Sequence, residues 1–125
     1  MEINNISFNQ DDTCFSVATD SGFQICNTAP HKTTVARDLE GSVWKAEMLY
    51  RCNIVGLVGG GTYPKYSPNK LILWDDRQHK VTGELTFEAK VITFKMRKDV
   101  IAVALTEKVM IFNLSDLGTL LFHQD

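Results

Sequence analysis

Short runs of apolar or alternating residues, each of strand length, recur along the chain between turn-forming residues, and a helical repeat of apolar positions is weak almost everywhere. The runs are NISFNQ, CFSVAT, GFQICN, VWKAEML, NIVGLV, KLILWDD, GELTF, VITFKM, VIAVAL, KVMIFN and TLLFHQ. Only RDLEGSVWKAEMLY has helical potential, and Gly41 and β-branched Val43 weaken it. The pattern therefore predicts an all-β chain.

Three of these stretches form an internal repeat. CFSVATDSGFQICN and VIAVALTEKVMIFN superpose without a gap and place Cys26 opposite Phe112, an offset of 86 residues. Halfway between them, NIVGLVGGGTYPKYSPNKLILWD aligns with both if it carries an insertion of about eight residues. The period is then about 43 residues, as in WD-repeat propellers, whose blades of roughly 40 to 45 residues are four-stranded antiparallel sheets. The sequence thus predicts a WD-repeat β-propeller with about three blades, at residues 6–39, 43–87 and 91–124.

The chemistry of the strands agrees with this repeat. Inner strands of a blade are covered on both faces by neighbouring blades, so they should be apolar along their whole length, as IVGLV and VIAVAL are. GELTF alternates, as an outer strand should. Trp74 and Asp75 supply the WD dipeptide at the end of one strand.

Composition narrows the range of functions. The formal charge of −2, from 13 basic and 15 acidic residues, gives no diffuse positive field, so we predict no nucleic-acid partner. Cys14, Cys26 and Cys52 include no Cys-x-x-Cys pair, which favours reduced thiols in the core of an intracellular protein. The N-terminus lacks the pattern of a signal peptide, and no apolar run approaches the roughly 20 residues that span a bilayer. We expect a soluble chain whose membrane contact is at most peripheral.

Gly59, Gly60 and Gly61 raise the question of a phosphate-binding loop. Such a loop is followed by Lys-Ser or Lys-Thr and then a helix, because backbone N–H groups and the helix N-terminus hold the phosphates. Here TYPKYSPNKLILW follows, and its two prolines disfavour a helix. Two interpretations remain, an elongated turn or a protein-binding loop that presents Tyr63, Lys65 and Tyr66.

Candidate catalytic and metal-binding groups are sparse. His31, His79 and His123 are far apart in sequence and show no metal-ligand spacing, and no nucleophile stands with a base in a recognisable arrangement. We therefore predict no enzymatic activity, no cofactor and no metal.

Several stretches together resemble one family. FNQDDTCFSVATDSGFQICNT, EMLYRCNIVGLVGGG and PNKLILWDD are similar, in order and spacing, to the N-terminal part of the PROPPINs, the phosphoinositide-binding WD-repeat β-propellers of autophagy that include the WIPI proteins. The resemblance covers most of residues 6–113. It implies a seven-bladed propeller that binds phosphatidylinositol 3-phosphate and 3,5-bisphosphate on phagophore or endolysosomal membranes, of which this chain would supply about three blades.

The resemblance also implies where the chain acts. Family members use their N-terminal blades to dock the large lipid-transfer protein of autophagy, and the matching positions are Asn9, Asp11, Pro64, Lys65 and Tyr66. Without the resemblance, turn hydrogen bonding explains Asn9 and Asp11 equally well.

The lipid sites of the family lie around an Arg-Arg-Gly motif in later blades. Arg37, Arg51, Arg77 and Arg97 are never adjacent, so we expect no lipid-binding residues in this chain. The leading hypothesis is a non-enzymatic scaffold, cytoplasmic and peripheral on membranes, that links phosphoinositide membranes to autophagy machinery. The alternative is a protein–protein interaction module that works without lipid. Because a partial propeller leaves blade faces uncovered, we also expect marginal stability or self-association.

Overall fold

The chain folds into three antiparallel four-stranded sheets. In the computed structural model, residues 2–50 and 52–124 are described, and residues 116–123 by their backbone alone. The twelve strands in this described part are β1 (Ile3–Phe8), β2 (Cys14–Thr19), β3 (Gly22–Thr28), β4 (His31–Asp38), β5 (Val43–Met48), β6 (Ile54–Gly59), β7 (Lys70–Asp75), β8 (Lys80–Thr86), β9 (Val91–Met96), β10 (Val100–Leu105), β11 (Val109–Asn113) and β12 (Asp116–Gln124). Each sheet keeps its strands in chain order, β1 to β4, β5 to β8 and β9 to β12. The predicted all-β class with three four-stranded blades is confirmed.

One strand was missing from the pattern of apolar runs. β4 has the sequence HKTTVARD and is mostly exposed, since it is the outermost strand of the first blade. Its pairing with β3 is held by backbone hydrogen bonds, with a register shift between Ile25 and Cys26. A strand that buries little apolar surface leaves little trace in the sequence.

The hydrophobic core lies between the blades in two layers. Because side chains alternate along a strand, β6 sends Val55 and Leu57 toward the first blade and Val58 toward the third. β7 alternates in the same way, with Ile72 and Trp74 toward the first blade. The first layer also contains Cys14, Ala18, Phe23, Ile25, Val43, Ala46 and Met48, and the second contains Leu71, Leu73, Phe87, Val91, Phe94, Met96, Ile101, Val103 and Phe112. The second blade is thus buried on both faces.

Two of the cysteines follow the prediction and one does not. Cys14 and Cys26 are buried, but Cys52 is exposed in the connection between β5 and β6. The expectation of three core thiols was therefore wrong for Cys52, which lies outside both core layers.

The innermost strands β1, β5 and β9 lie side by side. Asn4 Nδ2 donates to the carbonyl of Val43 at 2.8 Å, and Ser7 Oγ donates to Glu47 Oε1 at 3.2 Å. Lys95 Nζ reaches the same oxygen of Glu47 at 3.2 Å. One carboxylate therefore links all three blades, and burial raises the pKa of Glu47 although Lys95 and Ser7 oppose that shift.

The antiparallel strands create two ends. We call the end that carries loop 9–13, the connection after Met48 and loop 97–99 the lower end, and the end that carries loops 39–42, 60–69 and 87–90 the upper end. No helix long and apolar enough to cross a membrane occurs in the described residues.

The length of loop 60–69 sets the second blade apart. The corresponding upper-end turns are residues 20–21 in the first blade and 106–108 in the third, so the loop is about eight residues longer than the shortest of them. It is followed by strand β7 and not by a helix. The arrangement needed for a phosphate-binding loop is therefore not formed there.

Candidate protein-docking site

Asn9 follows β1 at the lower end and is only 3% exposed. Its Nδ2 donates to the carbonyl of Tyr50 and to Thr13 Oγ1, both at 3.1 Å, and its Oδ1 accepts from the backbone N–H of Cys14 at 3.1 Å. The side chain therefore joins the first blade to the second and closes the turn into β2. Its groups are all engaged within the fold.

Asp11 is exposed two residues later. Its Oδ1 accepts from the backbone N–H of Thr13 at 3.1 Å and from Thr13 Oγ1 at 2.6 Å. Because Thr13 Oγ1 also accepts from Asn9, the two residues form one network that orders the loop. Asp11 thus places its carboxyl group on the exposed side of an ordered loop, the kind of position at which binding residues are common.

Gln10, between them, is a structural residue that the sequence did not single out. Its Nε2 donates to the carbonyl of Met48 at 3.0 Å and to the carbonyl of Met96 at 2.9 Å. Its Oε1 accepts from the backbone N–H of Tyr50. One amide therefore ties the first blade to the second and third. Only the tertiary structure reveals this role, because its three partners are 38, 40 and 86 residues away.

Pro64 and Lys65 lie at the upper end, in loop 60–69, and both are exposed. The backbone beside them is fixed to Ser42, whose N–H donates to the carbonyl of Tyr63 at 2.7 Å and whose carbonyl accepts from the N–H of Lys65 at 3.0 Å. Ser42 Oγ also accepts from the N–H of Tyr63 at 3.0 Å. The loop is thus a fixed platform on the connection between the first two blades.

The two tyrosines of this loop point in different directions. Tyr66 packs partly buried against the core between the first two blades, and burial raises the pKa of its hydroxyl. Tyr63 is 80% exposed. The structure therefore favours Tyr63 over the predicted Tyr66 as the aromatic side chain available to a partner. The two tyrosines can be told apart only once the packing of the loop is known.

The glycines of the loop serve its shape. A Cβ at Gly59 would lie 1.7 Å from the carbonyl oxygen of Tyr66, so no other residue permits this return of the chain. Gly61 has a φ of 89°, which L side chains rarely adopt. The backbone of the loop is therefore that of an elongated turn. Because most of its side chains are exposed, the interpretation as a protein-binding loop stays open.

The structure does not bring the predicted site residues together. Asn9 and Asp11 lie at the lower end, and Pro64, Lys65 and Tyr66 lie at the upper end, separated by the length of a six-residue strand. At about 3.3 Å per residue, that separation is roughly 20 Å. One short peptide cannot contact both sets unless it runs along the blades.

The WD dipeptide organises the lower end of the second blade. Asp75 accepts from Asn53 Nδ2 at 2.6 Å and from Gln78 Nε2 at 2.8 Å, and its pKa is lowered, first by the bond from Asn53. Trp74 Nε1 donates to Asp76 Oδ1 at 3.1 Å.

Asp76 also binds the first blade. Arg37 reaches its two carboxylate oxygens from Nε at 2.7 Å and from Nη2 at 3.0 Å. The hydrogen bond from Arg37 is the largest cause of the lowered pKa of Asp76, and the same contact raises the pKa of Arg37. This fork holds the outer strand β4 against the second blade.

Cavities lie between the blades at both ends. One of about 330 Å³ lies between the first two blades at the lower end and is lined by Asn27, Asn53, Asp76 and Arg77 among others. Another, of about 260 Å³, lies beside Trp44 at the upper end. The described residues contain no group of three or more His, Cys, Asp or Glu side chains that could hold a metal ion. Arg51 and the side chain of His123 lie outside the described residues.

Comparison with known proteins finds curated relatives named SVP1-like protein 2. No protein-family model matches the chain. SVP1-like protein 2 of Schizosaccharomyces pombe is 42% identical over 113 residues, which cover 88% of this chain and 30% of that protein. The chain spans less than a third of the length of this and two other curated relatives of the same name.

The solved structures agree on the fold. Hsv2 of Kluyveromyces lactis superposes with a TM-score of 0.84 at 24% identity, over 97% of this chain and 36% of that one. KlAtg21, solved in complex with the coiled coil of AgAtg16, superposes with a TM-score of 0.79 at 25% identity, over all of this chain and 40% of that one. The matched chains include a β-propeller domain. The propeller fold is therefore confirmed.

Proposed function

We propose that this chain forms the first three blades of a PROPPIN, a non-enzymatic propeller that joins phosphoinositide membranes to the autophagy machinery. The observation that supports it most is sequence identity of 42% across 88% of the chain to an SVP1-like protein, together with propeller neighbours that include KlAtg21 in its coiled-coil complex. In this proposal the chain supplies protein docking, and the large lipid-transfer protein of autophagy is its partner.

The lower end is the primary docking surface in this proposal. Asp11 is exposed on a loop that Asn9 and Gln10 tie to the second and third blades and that Thr13 orders from within, through its hydrogen bond to Asp11. An ordered loop presents its charge without a large loss of conformational entropy on binding. We assign direct contact to Asp11 and a positioning role to Asn9.

Replacing Asp11 by Asn tests this assignment. An Asn side chain still accepts the hydrogen bonds from Thr13, so the variant removes the carboxylate and keeps these bonds of the turn. We expect the variant to capture less of the lipid-transfer protein in a pull-down with the immobilised chain. Asp12→Asn removes a charge from the neighbouring position and is the matched control. Equal capture by the two variants would remove Asp11 from the contact surface.

The membrane part of the proposal concerns the longer parent protein. We place the reading of phosphatidylinositol 3-phosphate and 3,5-bisphosphate in blades outside these 125 residues, and the location on phagophore or endolysosomal membranes follows from that reading. Liposome flotation of the parent should show preference for the 3-phosphorylated lipids, and the chain alone should float weakly or not at all. If the parent captures the partner but shows no preference for these lipids, the result would favour the alternative function, a protein–protein interaction module that works without lipid.

A further inference from the structure

Loop 60–69 carries a motif that the proposed function does not use. Residues 67–70 read Ser-Pro-Asn-Lys, and of the three prolines in the chain only Pro68 follows a Ser or Thr. A Ser followed by Pro, with a Lys three residues after the Ser, is the pattern that one class of proline-directed protein kinases modifies. Proline suits the position after the acceptor because it has no backbone N–H that would need a partner in the kinase. The chain therefore holds one candidate acceptor for such a kinase.

The structure leaves the hydroxyl of Ser67 accessible. Ser67 and Pro68 are both exposed, and no described residue forms a hydrogen bond with the Ser67 hydroxyl. On one side, Tyr66 packs against the core between the first two blades. On the other, Asn69 Nδ2 donates to the carbonyl of Phe87 at 3.0 Å. The acceptor thus lies at the surface between two anchored neighbours.

Little of the fold has to open for a kinase to bind this segment. A protein kinase binds its substrate in an extended conformation, and two backbone hydrogen bonds oppose that conformation here. The carbonyl of Ser67 accepts from the N–H of Lys70 at 3.1 Å, and the carbonyl of Pro68 accepts from the N–H of Val91 at 2.9 Å. Each such bond in an exposed loop changes an equilibrium constant by up to about tenfold. We expect the folded chain to be modified at most about a hundredfold more slowly than a free peptide.

The charges of the loop give the modification a physical effect. Residues 60–70 contain Lys65 and Lys70 and no acidic residue. Lys70 pairs with Glu84 across the sheet at 2.9 Å, and Lys65 is exposed. Phosphoserine carries a charge of about −1.5 to −2 at pH 7. One phosphate on Ser67 would therefore cancel the positive charge of this stretch.

We propose that Ser67 is a phosphorylation site for a proline-directed Ser/Thr kinase that selects Lys at the third following position. Ser67 Oγ attacks the γ-phosphorus of ATP, so the Oγ–P bond forms while the bond from that phosphorus to the β,γ-bridging oxygen breaks. ADP leaves with the electron pair of the broken bond, and the hydroxyl proton passes to a carboxylate of the kinase. The inference does not depend on partner docking through Asp11.

Incubation of the whole chain with a cyclin-dependent kinase and MgATP tests the proposal, because this kinase class requires both features of the motif. We expect intact mass spectrometry to show one phosphate per chain, and fragmentation to locate it at Ser67. Ser67→Ala should accept none, and Ser67→Thr should still be modified. Pro68→Ala should lower kcat/KM by at least about tenfold.

Lys70→Gln and Glu84→Gln form a matched pair, because both remove the same ion pair and only the first changes the motif. Lys70→Gln should lower kcat/KM by at least about fivefold, and Glu84→Gln should leave it unaltered. Urea midpoints establish that each variant is folded. A synthetic peptide of residues 61–73 supplies the rate for an unstructured substrate.

Three results would overturn the inference: no phosphate on Ser67 of the folded chain even though the peptide is modified, a phosphate on another residue in its place, or equal slowing by Lys70→Gln and Glu84→Gln. Each is distinguishable from failure of the proposed function. Capture of the lipid-transfer protein is measured on the unmodified chain, and its dependence on Asp11 would persist if Ser67 accepted no phosphate.

Discussion

Replacing Asn9 by Ala should destabilise the fold, although the family resemblance suggests Asn9 as a contact residue. The change removes the acceptor for the buried N–H of Cys14 and the donor to the carbonyl of Tyr50. A buried polar group without a partner costs roughly 1–3 kcal/mol. Because the Tyr50 carbonyl is nearer solvent than the Cys14 amide, we expect a total loss of about 2 to 4 kcal/mol in the free energy of unfolding.

Urea unfolding followed by tryptophan fluorescence measures this loss. With a slope of about 2 kcal/mol/M for a small domain, the midpoint of the Asn9→Ala variant should fall by about 1 to 2 M. Asp11→Asn keeps its hydrogen bonds in the exposed turn and should change the free energy of unfolding by less than about 0.5 kcal/mol. An unaltered midpoint for Asn9→Ala would refute the structural role of Asn9 and would support a direct contact with the partner.

The remaining predictions concern the contacts between blades. In Gly56→Ala, the new Cβ would lie 2.5 Å from the Phe94 ring, so the free energy of unfolding should fall by about 1–3 kcal/mol. Adding Phe94→Leu should recover part of this loss in a double-mutant cycle. If the losses of the two single variants simply add, this packing is contradicted. Burial raises the folded-state pKa of Glu47 above its ordinary 4.5. The free energy of unfolding that the neutral form contributes is therefore fully present below pH 4.5, and it is lost as pH rises through the folded-state pKa. Glu47→Gln should remove that loss in urea titrations at several pH values, and parallel curves would contradict it. Asp76→Asn should lower the urea midpoint at pH 7, because it weakens the two hydrogen bonds from Arg37. The difference in midpoint from the unchanged chain should shrink as pH falls below 3.8 and through the lowered folded-state pKa of Asp76. A difference that stays constant to pH 2 would exclude the ion pair as its cause.

Buried strands could be predicted from the sequence because burial on both faces demands apolar residues, and β6 and β10 show them without interruption. The alignment also located the longer loop of the second blade, since an insertion shifts the repeat by a countable number of residues. β4 was not predicted because backbone hydrogen bonds to β3 hold it in place, and such bonds leave no pattern of apolar side chains in the sequence. An outer strand of this kind is found only once its neighbour is known.

The candidate site was predicted less well. Resemblance pointed to Asn9 and Asp11 together, but one side chain is buried in the fold and the other is exposed. It also joined them to Pro64, Lys65 and Tyr66, which lie at the other end of the blades. That Trp44 and Lys90 line the same upper cavity has no local signal in the sequence, because the two residues are far apart in the chain.

The sequence alone determined the class of this protein: a repeat of about 43 residues with apolar strands makes stacked four-stranded blades, since each blade must hide two faces. The tertiary structure decided which side chains are available to a partner. Gln10 reaches two other blades, Tyr66 turns inward and Tyr63 outward, and three distant segments meet around the upper cavity. These outcomes depend on contacts between residues tens of positions apart, and no local pattern encodes such distances.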